Sequence, residues 1–89
     1  MAEVSELDAG AIEVVVRRVL QEHCGVDRAF DVRARLAEDL GLDSVGLLTL
    51  ALEVENHYQM ALGEEPDQAP RTVSDVIALV QMRLRERNP

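Results

Sequence analysis

Three stretches of the chain place apolar residues at helical spacing, and almost no aromatic residue is present to build anything else. Ile12, Val15, Val16, Val19 and Leu20 recur at i, i+3, i+4, i+7 and i+8, as do Val73, Val76, Ile77, Val80 and Leu84 over a later stretch. A third apolar run fills residues 44–58. The valines would also suit strands, but the length of each run and its period decide for helix. Phe30 and Tyr58 are the sole aromatics, so Leu, Val and Ala must form the core, which favours a helical bundle over a β-sandwich. A chain of 89 residues makes one small domain with a single modest core, here spanning 1–89 with its packed part at about 8–86.

The punctuation between these runs fixes the order of elements. Residues 1–7 read as a frayed leader, and the first helix starts near Asp8 and runs to about His23, with Gly25 as its C′ glycine. Residues 26–43 form a connection long enough to carry function or to be pinned by its own side chains; Val26, Phe30, Val32, Leu36, Leu40 and Leu42 are available for pinning. A short helical turn is expected at Glu38–Leu40, before Gly41. The second helix runs from Ser44 to about Tyr58. Residues 64–71 contain Pro66 and Pro70, so at most one short helical turn is expected there. Thr72-Val73-Ser74-Asp75 opens the last helix as a capping box with Asp in place of Glu. The predicted fold is all-α: a four-helix bundle with three main helices, a short irregular third helix and a long first loop.

The net charge of −8 is unevenly placed. Residues 36–75 carry nine acids against Arg71 alone, whereas Arg83, Arg85 and Arg87 make the end of the chain basic. An acidic chain is unsuited to nucleic acid, which needs a basic surface. It suits basic protein partners steered by charge. No run of 18 apolar residues offers a membrane span. No basic residue precedes Arg17, which is wrong for a signal peptide, so a cytoplasmic monomer is expected. The single Cys24 provides neither an intramolecular disulfide nor a metal framework.

The most informative stretch is residues 36–58, LAEDLGLDSVGLLTLALEVENHY. Asp43 and Ser44 are both N-cap residues, and only one can act as the cap. If Asp43 caps, Ser44 lies in the first turn with its hydroxyl exposed beside the free N–H groups of the helix. A phosphate on that hydroxyl would be well housed there, because the amides and the helix dipole both favour negative charge. Alone, such a serine is usually just part of a capping sequence.

Its neighbours change that reading. The string Glu38-Asp39-Leu40-Gly41-Leu42-Asp43-Ser44-Val45 resembles the attachment motif of the acyl carrier proteins, commonly E-D-L-G-x-D-S-L, and the resemblance runs in register from Gly25 to about Val80. It implies that Ser44 receives a 4′-phosphopantetheine arm through a phosphodiester. It further implies that Asp43 helps present the serine to a phosphopantetheinyl transferase with its Mg²⁺, and that acyl groups ride on the arm's thiol as thioesters. The implied partners are that transferase and acyl-transferring or condensing enzymes with basic docking patches.

The second helix carries its apolar side chains on two arcs. Leu47, Leu50, Ala51, Val54 and Tyr58 form one, suited to the core. Val45, Leu48 and Leu52 form another, with Glu55 pointing out between the two. An exposed apolar stripe rimmed by acids suits partner docking. In acyl carrier proteins this helix is the recognition helix, so the resemblance assigns Val45, Leu48, Leu52, Glu53 and Glu55 to docking. Four departures bear on partner identity and cargo. Val45 replaces the usual leucine, Thr49 stands where a glutamate is usual, Gly63 replaces a proline, and Pro70 replaces an apolar residue that helps line the family's acyl cavity.

An enzyme would need a catalytic constellation. Ser44 and His57 lie 13 residues apart, roughly 20 Å along one helix, too far for a nucleophile–base pair. His23 and Cys24 are adjacent and project in different directions. The expected function is therefore that of a free-standing acyl carrier serving fatty-acid or, in preference, polyketide or specialised acyl synthesis. Aminoacyl or peptidyl carriers share the arm but more often show a Gly-Gly-His-Ser type of motif. A third reading is an acidic helical interaction module with no prosthetic group and no use for an exposed Ser44.

Overall fold

The computed structural model describes residues 8–63 and 69–87. Over these residues the chain is all-helical, with α1 at Ala9–His23, α2 at Ser44–Tyr58 and α3 at Val73–Arg87. The leader at 1–7 and most of the proline-containing segment at 64–71 lie outside the described residues, and with them the expected short third helix. Residues 69–71 are irregular.

Each helix begins where its capping chemistry directs. The Asp8 carboxylate accepts the Gly10 N–H at 2.9 Å to start α1. At α3 the capping box closes in both directions: Asp75 N–H donates to Thr72 Oγ1 at 3.1 Å, and Thr72 N–H to Asp75 Oδ2 at 3.1 Å. The Arg71 N–H reaches the same carboxylate oxygen at 3.0 Å, and these backbone donors hold the Asp75 carboxyl below its ordinary pKa. Gly25, at φ +73°, turns the chain out of α1 as expected. At the end of α2 the same left-handed position is filled by Gln59, φ +54°, whose side-chain amide donates to the Asn56 carbonyl at 2.7 Å.

The helical periods resolve into one core. Ile12, Val16, Val19 and Leu20 of α1 and the five expected residues of α3 are buried. Val15 packs against them from the side. α1 packs on both α2 and α3, whereas no Cα of α2 comes within 8 Å of one in α3. Cys24 at the end of α1 meets Gly46 at the start of α2, while Val15 and Val19 share a cleft with Asn56 and His57 near the end of α2, so α1 and α2 are antiparallel.

The long connection is pinned as its side chains foretell. Val26, Leu36 and Leu42 are buried, and Phe30, Val32 and Leu40 pack against the core. It is also tied by backbone bonds that no local pattern announces. Leu36 N–H donates to the Arg71 carbonyl at 2.8 Å, Val73 N–H to Ala34 at 3.1 Å and Ser74 N–H to Val32 at 2.7 Å. Two of the amides that the first turn of α3 leaves unpaired are thereby satisfied by the loop. Arg17 secures the loop from α1: it donates to the Phe30 carbonyl at 2.7 Å, and its guanidinium lies 4.7 Å from the centre of that ring.

Candidate functional site

The start of α2 is prepared by the residues before it. A turn over 36–40 closes through Asp39 N–H and Leu40 N–H to the Arg35 carbonyl, each at 3.0 Å, which extends the Glu38–Leu40 turn expected from the sequence. The Asp39 carboxylate accepts the Arg35 N–H at 2.8 Å and lies 3.3 Å from its guanidinium; that backbone bond is the main reason its pKa is lowered. Glu38 lies 3.5 Å from the same guanidinium. The first two acids of the motif, Glu38 and Asp39, thus face Arg35, and Arg28 donates to the Asp39 carbonyl. Gly41, at φ +72°, takes a conformation that a side chain would strain, and it redirects the chain into Leu42, which is buried.

Asp43 is the N-cap. Its Oδ1 accepts the Gly46 N–H at 2.8 Å, and its carbonyl accepts the Leu47 N–H at 2.9 Å. Ser44 is consequently the first helical residue, and it is exposed. Among the described residues, the Ser44 and Val45 amides have no hydrogen-bond partner. Gly46 sits tightly behind them: a Cβ there would come within 3.2 Å of Leu42 Cδ2. Its carbonyl receives the Cys24 thiol at 3.7 Å, and burial, followed by the nearby Glu53 charge, raises the pKa of that thiol.

The two arcs of α2 separate largely as the sequence predicts. Leu50, Val54 and Tyr58 are buried, while Val45, Leu48 and Leu52 are 71%, 58% and 49% exposed. Leu47 departs from its expected place in the core; it is 37% exposed. The reason is the gap between α2 and α3, where Leu47 joins Leu50, Ala51, Val54, Val76 and Leu79 around an apolar cavity of about 190 Å³. Pro70 stays in this lining despite its departure from the family pattern.

The acids assigned to docking are placed differently. Glu55, expected to point outward, turns to the chain that follows the helix and accepts the Leu62 N–H at 2.8 Å. An unpaired amide on buried Leu62 would be costly, so this carboxylate has a structural task. Glu53 faces α1, with its Oε1 3.5 Å from His23 Nε2. Thr49, where a glutamate is usual, bonds its hydroxyl to the Val45 carbonyl at 2.8 Å. His57 stands edge-on to Tyr58, with ring centres 4.8 Å apart. No helix among the described residues is long and apolar enough to cross a membrane.

A family model described as the phosphopantetheine attachment site matches residues 14–80, which include the whole of this geometry. The chain belongs to the acyl carrier protein family. It is 29% identical over 89 residues to the meromycolate extension acyl carrier protein of Mycolicibacterium aurum, covering 99% of this chain and 86% of that one. It is 29% identical over 85 residues to the protein of that name from Mycobacterium tuberculosis, covering 94% of this chain and 69% of the other. The acyl carrier protein of Amoebophilus asiaticus is 27% identical over 84 residues, covering 94% of this chain and all of that protein. The prosthetic group of this carrier family is 4′-phosphopantetheine. The residues at the start of α2 fit such a group: an exposed hydroxyl, two unpartnered amides beside it, and a helix N-terminus that favours phosphate.

Proposed function

We propose that the chain is an acyl carrier on which Ser44 bears the phosphopantetheine arm. The observation that carries this reading is the exposed Ser44 hydroxyl at the first position of α2, inside the motif Glu38–Val45 and the matched span. The serine oxygen joins the arm through a phosphodiester, and the arm's terminal thiol holds cargo as a thioester. Asp43 serves the loading step. One of its carboxylate oxygens is committed to the Gly46 amide, and the other has no partner among the described residues, so it can meet the metal ion of the transferase. The whole chain acts as one carrier domain, a substrate of the enzymes that load and unload it.

Val45, Leu48 and Leu52 form the docking stripe for those enzymes, and the acidic surroundings select basic patches on them. Glu53 borders the stripe, whereas Glu55 is spent on Leu62 and drops out of the docking set. The cargo is an acyl group. Among the described residues, the lining of the cavity between α2 and α3 is apolar, which favours an acyl over an aminoacyl cargo. The meromycolate-extension relatives and the departures at Val45, Thr49, Gly63 and Pro70 favour specialised lipid or polyketide synthesis over housekeeping fatty-acid synthesis.

The test is intact mass after incubation with coenzyme A and a broad-specificity phosphopantetheinyl transferase. One arm is added to the wild type and none to Ser44→Ala. A wild type left unmodified by an active transferase returns the chain to the reading of an interaction module without a prosthetic group.

A further inference from the structure

The cavity between α2 and α3 has a neighbour. On the outer side of α3, Ala78, Leu79 and Met82 floor a second, shallower groove of about 430 Å³, edged by Arg71 and Asp75. The two spaces share one wall: Ala69, Pro70 and Leu79 line both. Ala69 and Pro70 are short or rigid, so Leu79 is the adjustable part of that wall. It is half-buried, packed against the core on one side and facing the groove on the other. Met82, one turn further along α3, is 40% exposed.

The inner cavity sets a limit on what it can enclose. A void of roughly 150 Å³ takes a benzene-sized guest, so about 190 Å³ takes on the order of six to eight carbons. A longer chain must compress, stay outside or continue past a wall. Leucine rotamers exchange readily at a half-exposed position, and no backbone contact between α2 and α3 closes the gap. Building on the acyl-carrier reading, we infer that Leu79 is a gate and that cargo longer than the cavity passes it to lie along the Ala78–Met82 groove on the outer face of α3. The occupant of that groove is the distal hydrocarbon of the protein's own cargo. The wall shared with the inner cavity is the ground for this assignment, and an exposed, flexible methionine suits an alkyl chain of variable length.

The experiment loads the protein from coenzyme A analogues bearing six-carbon and fourteen-carbon acyl groups as non-hydrolysable amides, and follows methyl-labelled Met82 with the backbone amides of Leu50 and Val54 by NMR. Both chains shift Leu50 and Val54; the fourteen-carbon chain alone shifts the Met82 methyl. In Leu79→Trp, with its fold checked by melting, the long chain still moves Leu50 and Val54 but leaves Met82 in place. A Met82 signal that ignores the long chain, that answers the short chain equally, or that still moves in a folded Leu79→Trp overturns the gate while the carrier reading stands. Should Leu79→Trp not fold, the comparison of the two chains in the wild type decides. Failure of the analogues to load at all overturns the carrier reading, and the gate with it.

Discussion

The carboxylate of Glu55 holds the backbone N–H of Leu62 at 2.8 Å, and Arg83 of α3 holds the carbonyl of the same residue at 2.8 Å. Leu62, in the chain that follows α2, is thus gripped from both helices, which also meet where Arg87 at the end of α3 donates to the Tyr58 carbonyl at the end of α2. Leu62 is buried and lines the cavity, so the two bonds fix that part of the cavity wall.

Glu55→Ala should therefore act on stability and not on docking. It leaves a buried amide without its acceptor, at a cost of about 1–2 kcal/mol. Glu55→Gln keeps an acceptor oxygen and should recover most of the loss. Chemical denaturation of the three proteins reads the difference, and loading of Ser44 should proceed at the wild-type rate in all of them. Slowed loading with unchanged stability would return Glu55 to the docking surface.

Asp75 should give the fold an acid-sensitive edge. Its carboxyl has a folded pKa below the ordinary value, chiefly because the Arg71 N–H bonds to it. A lowered folded pKa means stability that is complete above the ordinary aspartate value, about 3.9, and lost as pH falls through the lower folded value. Asp39, lowered by the Arg35 N–H, titrates in the same window. Melting midpoints between pH 2 and 5 should fall more gently for Asp75→Asn than for the wild type, with the slope due to Asp39 remaining. Identical slopes would show that the capping box contributes nothing through its charge.

Cys24 and the thiol of the arm should be chemically distinct. Burial and then the Glu53 charge raise the Cys24 pKa, so little thiolate is present near neutral pH. Iodoacetamide at pH 7 should modify the unloaded protein slowly. The loaded protein should gain one fast-reacting group, the thiol at the free end of its arm. Rapid alkylation of the unloaded protein would show that Cys24 is more accessible than its packing indicates.

Much of this architecture is legible in the sequence because it rests on local chemistry. Asp8, Asp43 and Thr72 cap the helices they precede, and the period of Val73 to Leu84 places every one of those residues inside. What escapes is the part that depends on distant backbone. The bonds from the 32–36 stretch to the start of α3 join residues more than 30 positions apart and follow no side-chain pattern. Glu55 reads as an outward acid because helical periodicity gives the direction of a side chain but not the course of the chain after the helix. Leu47 reads as core because the same period cannot foretell that α2 and α3 stand apart. The end of α2 at Gln59 carries no glycine, and its left-handed turn has no sequence signature beyond the loss of apolar period.

The separation of the two faces of α2 offers the sharpest mutational contrast. Leu50 is 3% exposed and Leu48 is 58% exposed, though they lie two positions apart. Leu50→Ala removes buried carbons and should cost ~2–5 kcal/mol, a cost that its position beside the existing cavity moves toward the lower end. A small domain has about 5–15 kcal/mol in all, so the melting midpoint should fall visibly. Leu48→Asp changes an exposed residue and should alter stability by less than ~0.5 kcal/mol. Its effect should appear instead as slower loading of Ser44, or slower transfer of cargo to partner enzymes, because an aspartate replaces apolar contact area at the centre of the stripe. Both variants are to be melted and loaded side by side. If Leu48→Asp unfolds the protein, that face of α2 is part of the core and the docking stripe is lost with it.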